Sequence, residues 1–290
     1  MIEEPDFKHV AIIGMGLMGG SLGKALIKYS PSTFVTGIVR REEAVQGVLD
    51  AGAAHECTTD IPSGLAQADL VVLSTPVRSI CSIGKAIMPF LKKGCILTDM
   101  GSTKSIIVEE LTEVCPENVY FVGAHPMAGS EKTSIKYADA DLFRNALCIV
   151  TPSPAVPSDL SCRVSRFWNV VGCKIKTMSA ADHDKLVCAI SHIPHLVASS
   201  LVNFAESIQT DEFSSLELAS TGFGDTTRIA AGSADVWKDI CMTNKQNIVS
   251  QLDKCATMLS DLSNMLKCDA MDNVVAFLEN ARIIRQSFDK

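Results

Sequence analysis

A glycine-rich run, Gly14-Met15-Gly16-Leu17-Met18-Gly19-Gly20-Ser21-Leu22-Gly23, joins an apolar β-branched stretch at Val10 to Ile13 to a helix-like stretch from Ala25 to Tyr29. The context constrains the chain more than the glycines do. A GxGxxG string alone is a weak signal, but one that closes a strand and opens a helix matches the turn that cradles a dinucleotide pyrophosphate. Gly14 then permits the tight turn, Gly16 lets backbone approach phosphate, and Gly19 lets helix and strand pack closely; Leu17 and Met18, between the last two in sequence, are further candidate cofactor contacts. The helix N-terminus faces the anion. The alternative is a glycine-rich turn in an ordinary α/β domain.

Through about residue 177 the chain alternates apolar runs with helix-like segments. Strands are expected at His9 to Ile13, Phe34 to Val39, Leu70 to Ser74, Cys95 to Asp99, Val119 to Val122, Ala146 to Thr151 and Cys173 to Thr177. Runs apolar throughout suit strands covered on both faces, and their alternation with helices implies a mostly parallel sheet. The fold class is therefore α/β: an N-terminal Rossmann-like domain over residues 1–178, then an all-helical domain over 179–290 with no convincing strand. The helical half carries an apolar stripe at Ile248, Leu252, Cys255, Leu259, Leu262 and Leu266, whose steps of four and three place all six on one helix face. An intramolecular core helix and a subunit interface both fit that pattern.

The 290 residues suffice for two cores, and 47% hydrophobic with 20% charged is ordinary for a globular protein. A formal net charge of -7 argues against broad nucleic-acid binding, so an anionic ligand must be held by a few local cations. The eleven cysteines are odd in number and never spaced CxxC, which suggests neither a disulfide framework nor a zinc knuckle. They read as reduced thiols in a cytosol. The acidic N-terminus precedes no signal-type apolar run, and no segment approaches the uninterrupted length of a membrane span, so a soluble cytoplasmic protein is expected.

Dinucleotide enzymes that use NAD place an acidic residue at the end of the second strand, where it binds the adenine ribose. Val39 occupies that position, and Arg40 and Arg41 follow, a fork suited to a 2'-phosphate. NADP is favoured. NAD remains the alternative, with Glu42 or Glu43 reaching the ribose. Ser74, Thr75 and Pro76, ending a strand at the same sheet edge, complete the candidate cofactor contacts.

Two further loops end strands at that edge: Thr98-Asp99-Met100-Gly101-Ser102-Thr103-Lys104 and Gly123-Ala124-His125-Pro126-Met127-Ala128-Gly129-Ser130-Glu131. A histidine at a strand end, braced by proline, is placed to exchange a proton with a substrate hydroxyl. His125 is the candidate general base, beside Ser102 and Lys104. In the helical half, His192 and His195 lie three apart, but Pro194 disturbs the turn and no third ligand stands at a compelling spacing, so no metal site is expected. Arg228 is a candidate carboxylate clamp, since a guanidinium fork fixes orientation as well as charge. A surface salt bridge would also explain it.

Together these motifs resemble the prephenate and arogenate dehydrogenases of tyrosine biosynthesis. The resemblance runs in order along nearly the whole chain: the glycine loop, Asp-Met-Gly-Ser-Thr-Lys, His-Pro-Met-Ala-Gly-Ser-Glu, Ser-His-Ile-Pro-His, Phe-Gly-Asp-Thr-Thr-Arg-Ile-Ala and Trp237. It implies a helical C-terminal domain that forms a homodimer, with active sites in a cleft between domains. It also implies His125 as catalytic histidine, Ser102 as its assistant, Arg228 as the substrate-carboxylate arginine, His195 as a substrate-site histidine, and Ser130, Glu131 and Trp237 as pocket residues. The chain has no room for the chorismate mutase or ACT domain fused in some members.

Such enzymes transfer hydride from the hydroxyl-bearing ring carbon to the nicotinamide as CO2 leaves the opposite carbon, and aromatisation drives the reaction. Position matters more than activation. Two alternatives stay open. One is a β-hydroxyacid dehydrogenase relative, although no lysine after Met178 is followed four residues later by asparagine as those enzymes require. The other is a non-catalytic NADP-sensing protein.

Overall fold

The structure, a computed structural model, describes residues 6–129 and 132–289. Eight strands form one sheet: β1 (His9–Ile13), β2 (Phe34–Ile38), β3 (Glu56–Thr58), β4 (Leu70–Leu73), β5 (Ile96–Asp99), β6 (Tyr120–Pro126), β7 (Leu147–Pro152) and β8 (Lys174–Thr177). Their order is β3-β2-β1-β4-β5-β6-β7-β8, and every neighbouring pair is parallel except β6 with β7. The order reverses at β1 and β4, which opens a crevice at their carboxyl ends where ligands of open α/β sheets bind.

Why β1 is apolar throughout follows from its two faces. Val10 and Ile12 enter one core with Leu22, Ala25 and Leu26 of α1 (Leu17–Tyr29) and Val164, Phe167 and Trp168 of α6 (Ser158–Val170). Ala11 and Ile13 enter the opposite core with Ile80 and Ile87 of α4 (Val77–Ile87) and Ile107 and Leu111 of α5 (Ser105–Val114). The period of two splits one apolar run between two helical layers.

Two sheet features depart from the sequence reading. Three-residue β3 was not among the expected strands, because its Glu56 is exposed and its flanks are polar. Strand β6 runs on to Pro126, so His125 sits inside a strand opposite Ile149 of β7 rather than in a loop. Antiparallel pairing supplies the hydrogen bonds that carry the strand that far.

After Ser179 the chain is helical: α2 (Val45–Asp50) and α3 (Ile61–Leu65) having served the sheet, there follow α7 (Ala180–Val187), a π turn (Cys188–His192), α8 (Ile193–Ser207), α9 (Thr221–Thr227), α10 (Ala234–Thr243), α11 (Lys245–Lys267) and α12 (Met271–Gln286). Ser179 caps α7 by accepting from the Asp182 amide. Pro194 falls in the first turn of α8, where its missing N–H is tolerated. The helix from Ala180 to Ser207 is long and apolar enough to cross a membrane by length and composition. That corrects the expectation that no segment approaches this length. It carries His183, Asp184, His192 and His195, all buried, with the first three hydrogen-bonded to other parts of the fold, so one face of the helix packs inside the protein while Ile190 and Phe204 are exposed.

The chain divides into two compact units, residues 1–245 and 246–290. In the second, the apolar stripe lies along α11 as expected, and Leu259 is 62% exposed with Leu252 and Leu266 also exposed. Ile248 at the start of the stripe is buried, and Cys255 and Leu262 are half-buried. All eleven cysteines are free thiols.

Close packing of α1 gives a test. A Cβ on Gly23 would stand 1.8 Å from the Ala53 carbonyl oxygen, whereas one on Gly47 in α2 would meet nothing within 4 Å. Gly23→Ala should cost about 1–3 kcal/mol through overpacking, and Gly47→Ala should gain about 0.5–1 kcal/mol from helix propensity. Thermal melts of the two variants compare them. A Gly23→Ala protein as stable as wild type would show that α1 need not approach so closely.

Candidate active site

The glycine loop builds one wall of a cavity of about 470 Å3. Gly14 has φ +96°, and a Cβ there would lie 2.5 Å from the Ser74 carbonyl oxygen. A Cβ on Gly19 would lie 2.0 Å from the Gly14 oxygen, so these two glycines serve the turn and its packing. Gly16 has nothing within 4 Å of its would-be Cβ and, with Leu17, Met18, Ser74, Thr75 and Pro76, lines the cavity at the N-terminus of α1. The Thr75 hydroxyl is buried with no partner among the described residues. A bare backbone surface at a helix N-terminus fits a dinucleotide pyrophosphate.

Beyond β2, Val39 is buried and its amide donates to the Thr58 carbonyl. Arg40 and Arg41 are exposed, outside the cavity lining, and Arg41 stands 3.6 Å from Glu43. Both alternative ribose acids are engaged, Glu43 with Arg41 and Glu42 with the Thr59 hydroxyl at 2.8 Å.

Ser102 and His125 line the same cavity. A buried ion pair holds their loops. The Lys104 ammonium pairs with the Asp99 carboxylate, both fully buried, and donates to the Ala124 carbonyl at 2.9 Å. Asp99 accepts in turn from the amides of Ala124 at 3.2 Å and Gly101 at 2.9 Å. The backbone next to His125 is thus held through both its polar groups, and that next to Ser102 through one.

Behind His125 lies a chain of groups. His125 Nδ1 is 2.8 Å from His183 Nε2, and His183 Nδ1 is 2.9 Å from Asp184 Oδ1. Asp184 also accepts from the Lys104 and Ser105 amides, at 2.7 and 2.8 Å, at the start of α5. Burial alone would raise the Asp184 carboxyl, but these donors hold it below the usual carboxylate range. Burial, then the neighbouring His183, Lys104 and His192, push His125 well below the ordinary imidazole value. It is neutral at physiological pH. Asn244, following α10, donates to the Asp184 carbonyl at 2.8 Å and stands 3.2 Å from His192 Nδ1.

Of the remaining expected residues, His195 is buried and stacks on Trp237, ring centroids 3.5 Å apart and 12° between planes. Burial lowers its imidazole, and the Ile229 backbone opposes this. Val236, next to Trp237, reaches the cavity. Arg228 is exposed in the turn Arg228–Ala231, away from the cavity lining and without an ion pair among the described residues, so the salt-bridge explanation finds no partner there. Ser130 and Glu131 lie outside the described residues. No group of three or more potential metal ligands occurs among the described residues. Sequence reasoning missed His183 and Asp184, whose adjacent polar pair inside an amphipathic helix reads as a solvated face.

Two family models cover most of the chain, one described as "Prephenate dehydrogenase, nucleotide-binding domain" over residues 22–177, the other as "Prephenate dehydrogenase, dimerization domain" over 179–280. The chain belongs to the prephenate dehydrogenase family. Among its family relatives, the cyclohexadienyl dehydrogenase of Zymomonas mobilis is 30% identical over 96% of this chain and 95% of its own. The prephenate dehydrogenase of Bacillus subtilis is 30% identical over 95% of this chain and 75% of its own. The crystal structure of A. aeolicus prephenate dehydrogenase in complex with hydroxyphenyl propionate and NAD+ superposes with a TM-score of 0.90 at 31% identity, covering 97% of this chain and 98% of that one. A 3-hydroxyisobutyrate dehydrogenase from Mycobacterium tuberculosis reaches only 0.53 at 16% identity, covering 79% of this chain and 72% of its own, a likeness of fold alone.

Buried neutral histidines tie stability to acid pH. His192 is lowered to about 4 by burial, with Asp184 opposing and His183 adding to the shift. Between the unfolded value near 6.5 and that lowered value the unfolded chain binds more protons, so stability falls as pH falls through this window. The melting temperature should decline from pH 7 to 4.5, and His192→Asn should decline less steeply. A flat wild-type profile would contradict neutral burial.

Proposed function

We propose that the chain oxidises and decarboxylates prephenate or arogenate, giving 4-hydroxyphenylpyruvate or tyrosine, with hydride transfer to NAD(P). The observation that carries this is a neutral His125 facing, beside Ser102, the same cavity as the bare Gly16 backbone. When bound, the nicotinamide supplies the hydride acceptor. His125 takes the proton of the ring hydroxyl, Ser102 holds the hydroxyl or the imidazole in line, and the glycine loop with Ser74, Thr75 and Pro76 seats the dinucleotide. We assign the substrate-carboxylate anchor to Arg228. Its support is the motif match together with its turn, since the Ile229 backbone engages His195, which stacks on Trp237 beside the cavity-lining Val236. Ser130, Glu131, His195 and Trp237 are assigned to the substrate side on the same resemblance.

The chain is further read as a homodimer paired through its helical half, in keeping with the exposed stripe on α11 and the family's dimerization domain. We divide the chain into a cofactor domain over 1–178 and a helical domain over 179–290, a reading supported by the two family matches, over 22–177 and 179–280. A reducing cytoplasm suits eleven free thiols.

The assay crosses prephenate and arogenate with NAD and NADP. His125→Asn should lower kcat by about two to four orders of magnitude with substrate affinity nearly intact; retention of a tenth of wild-type kcat removes the general-base role. On the cofactor side, the absence of a carboxylate at Val39 and the exposed Arg40 and Arg41 support a preference for NADP. Neutral replacement of both arginines should erode it. A wild-type kcat/KM more than about tenfold in favour of NAD, roughly 1.4 kcal/mol, would overturn that preference.

A further inference from the structure

His125, His183 and Asp184 form a chain of hydrogen-bonded contacts in which Asp184 sets the direction at one end. A carboxylate can only accept, and Asp184 already accepts from the backbone amides of Lys104 and Ser105. It also sits at the N-terminus of the ten-residue helix α5, where the helix dipole favours the anion. His183 Nδ1, 2.9 Å away, must therefore carry the proton of that contact. With a single proton on His183, at Nδ1, its Nε2 is a lone-pair acceptor, and the 2.8 Å contact with His125 Nδ1 then runs from His125 to His183. The remaining nitrogen of His125, Nε2, keeps its lone pair. His125 lines the cavity, and His183 and Asp184 are fully buried behind it.

We propose that His183, oriented by Asp184, is a positioning residue that holds His125 in the tautomer able to act as base and shares the proton it takes up. The proposal rests on His125 being the general base. In the step itself the substrate O–H bond breaks as the Nε2–H bond of His125 forms, and the hydride of the same carbon leaves to the nicotinamide. The Nδ1 proton of His125 can then pass to His183 Nε2, which places the new positive charge beside the Asp184 carboxylate. No proton is gained or lost in this transfer, and it returns by the same route. A histidine backed instead by a hydrogen-bond donor would present Nε2–H to the substrate and could not accept.

The test uses the full-length protein with three variants assayed in parallel, His125→Asn, His183→Leu and His183→Gln. His183→Leu removes the acceptor and should lower kcat by about 10- to 1000-fold, less than the loss of the acid-base group itself, with KM for substrate and cofactor changed less than about threefold, the mark of a group acting in the transition state. His183→Gln presents an amide oxygen that can accept from His125 Nδ1, and it should recover at least tenfold of the loss. Equal impairment of the two variants would assign His183 a purely structural role and overturn the proposal, as would a His183→Leu enzyme with wild-type kcat. If His125→Asn itself retains activity, the general-base reading fails first. If only His125→Asn is impaired, that reading stands and the positioning role falls. Nitrogen-15 NMR of histidine-labelled wild type, with the His125 signals assigned by the His125→Asn variant, reads the tautomer without depending on whether His183→Leu folds. Protonated Nδ1 with bare Nε2 on His125 is expected, and the reverse overturns the proposal.

Discussion

The ion pair between Asp99 and Lys104 sits at the centre of the structure's functional edge, fully buried on both sides. Two charges removed from water are costly unless geometry and further hydrogen bonds compensate, and here they do. Asp99 takes the Ala124 and Gly101 amides, the ammonium takes the Ala124 carbonyl, and the Lys104 amide goes to Asp184. A pair so committed cannot shift without disturbing the backbone beside His125, the backbone beside Ser102 and the support of His183 together. It couples the ends of β5 and β6 to α7.

This coupling explains why chemistry lies where it does. Parallel strands bring β1, β4, β5 and β6 to one edge, so the glycine loop, Ser74, Ser102 and His125 share a cavity despite being separated by up to about a hundred residues. The antiparallel β7 then holds β6 extended through His125, which gives the imidazole a strand's rigidity where a loop would leave it free. Helix α7 closes the back of the site with His183 and Asp184. Burial there does double duty: it excludes water from the relay and keeps His125 neutral, the form that can accept a proton.

Much of this was legible in the chain. The strand-turn-helix context of the glycines, the apolar runs and the helical spacing after Ser179 rest on interactions between near neighbours, and apart from the end of β6 the expected strands appear within a residue of their expected ends. His125 and Ser102 were legible because strand ends at a known sheet edge are few. Three-residue β3, the extension of β6 and the apolar length of Ala180–Ser207 were misjudged, since a short polar strand is made by pairing with its neighbour and not by its own residues.

By itself the sequence determined the α/β class, the dinucleotide turn, the candidate base and the helical second half, all through local periodicity and turn chemistry that act over a few residues. The tertiary structure decided what those residues touch. His183 lies 58 positions from His125, and Asp184 about 80 from the α5 amides it accepts. Hydrogen bonds across such separations leave no periodic trace in a chain, because they exist only after sheet and helices have packed, and it is that packing which sets the tautomer and charge of the catalytic edge.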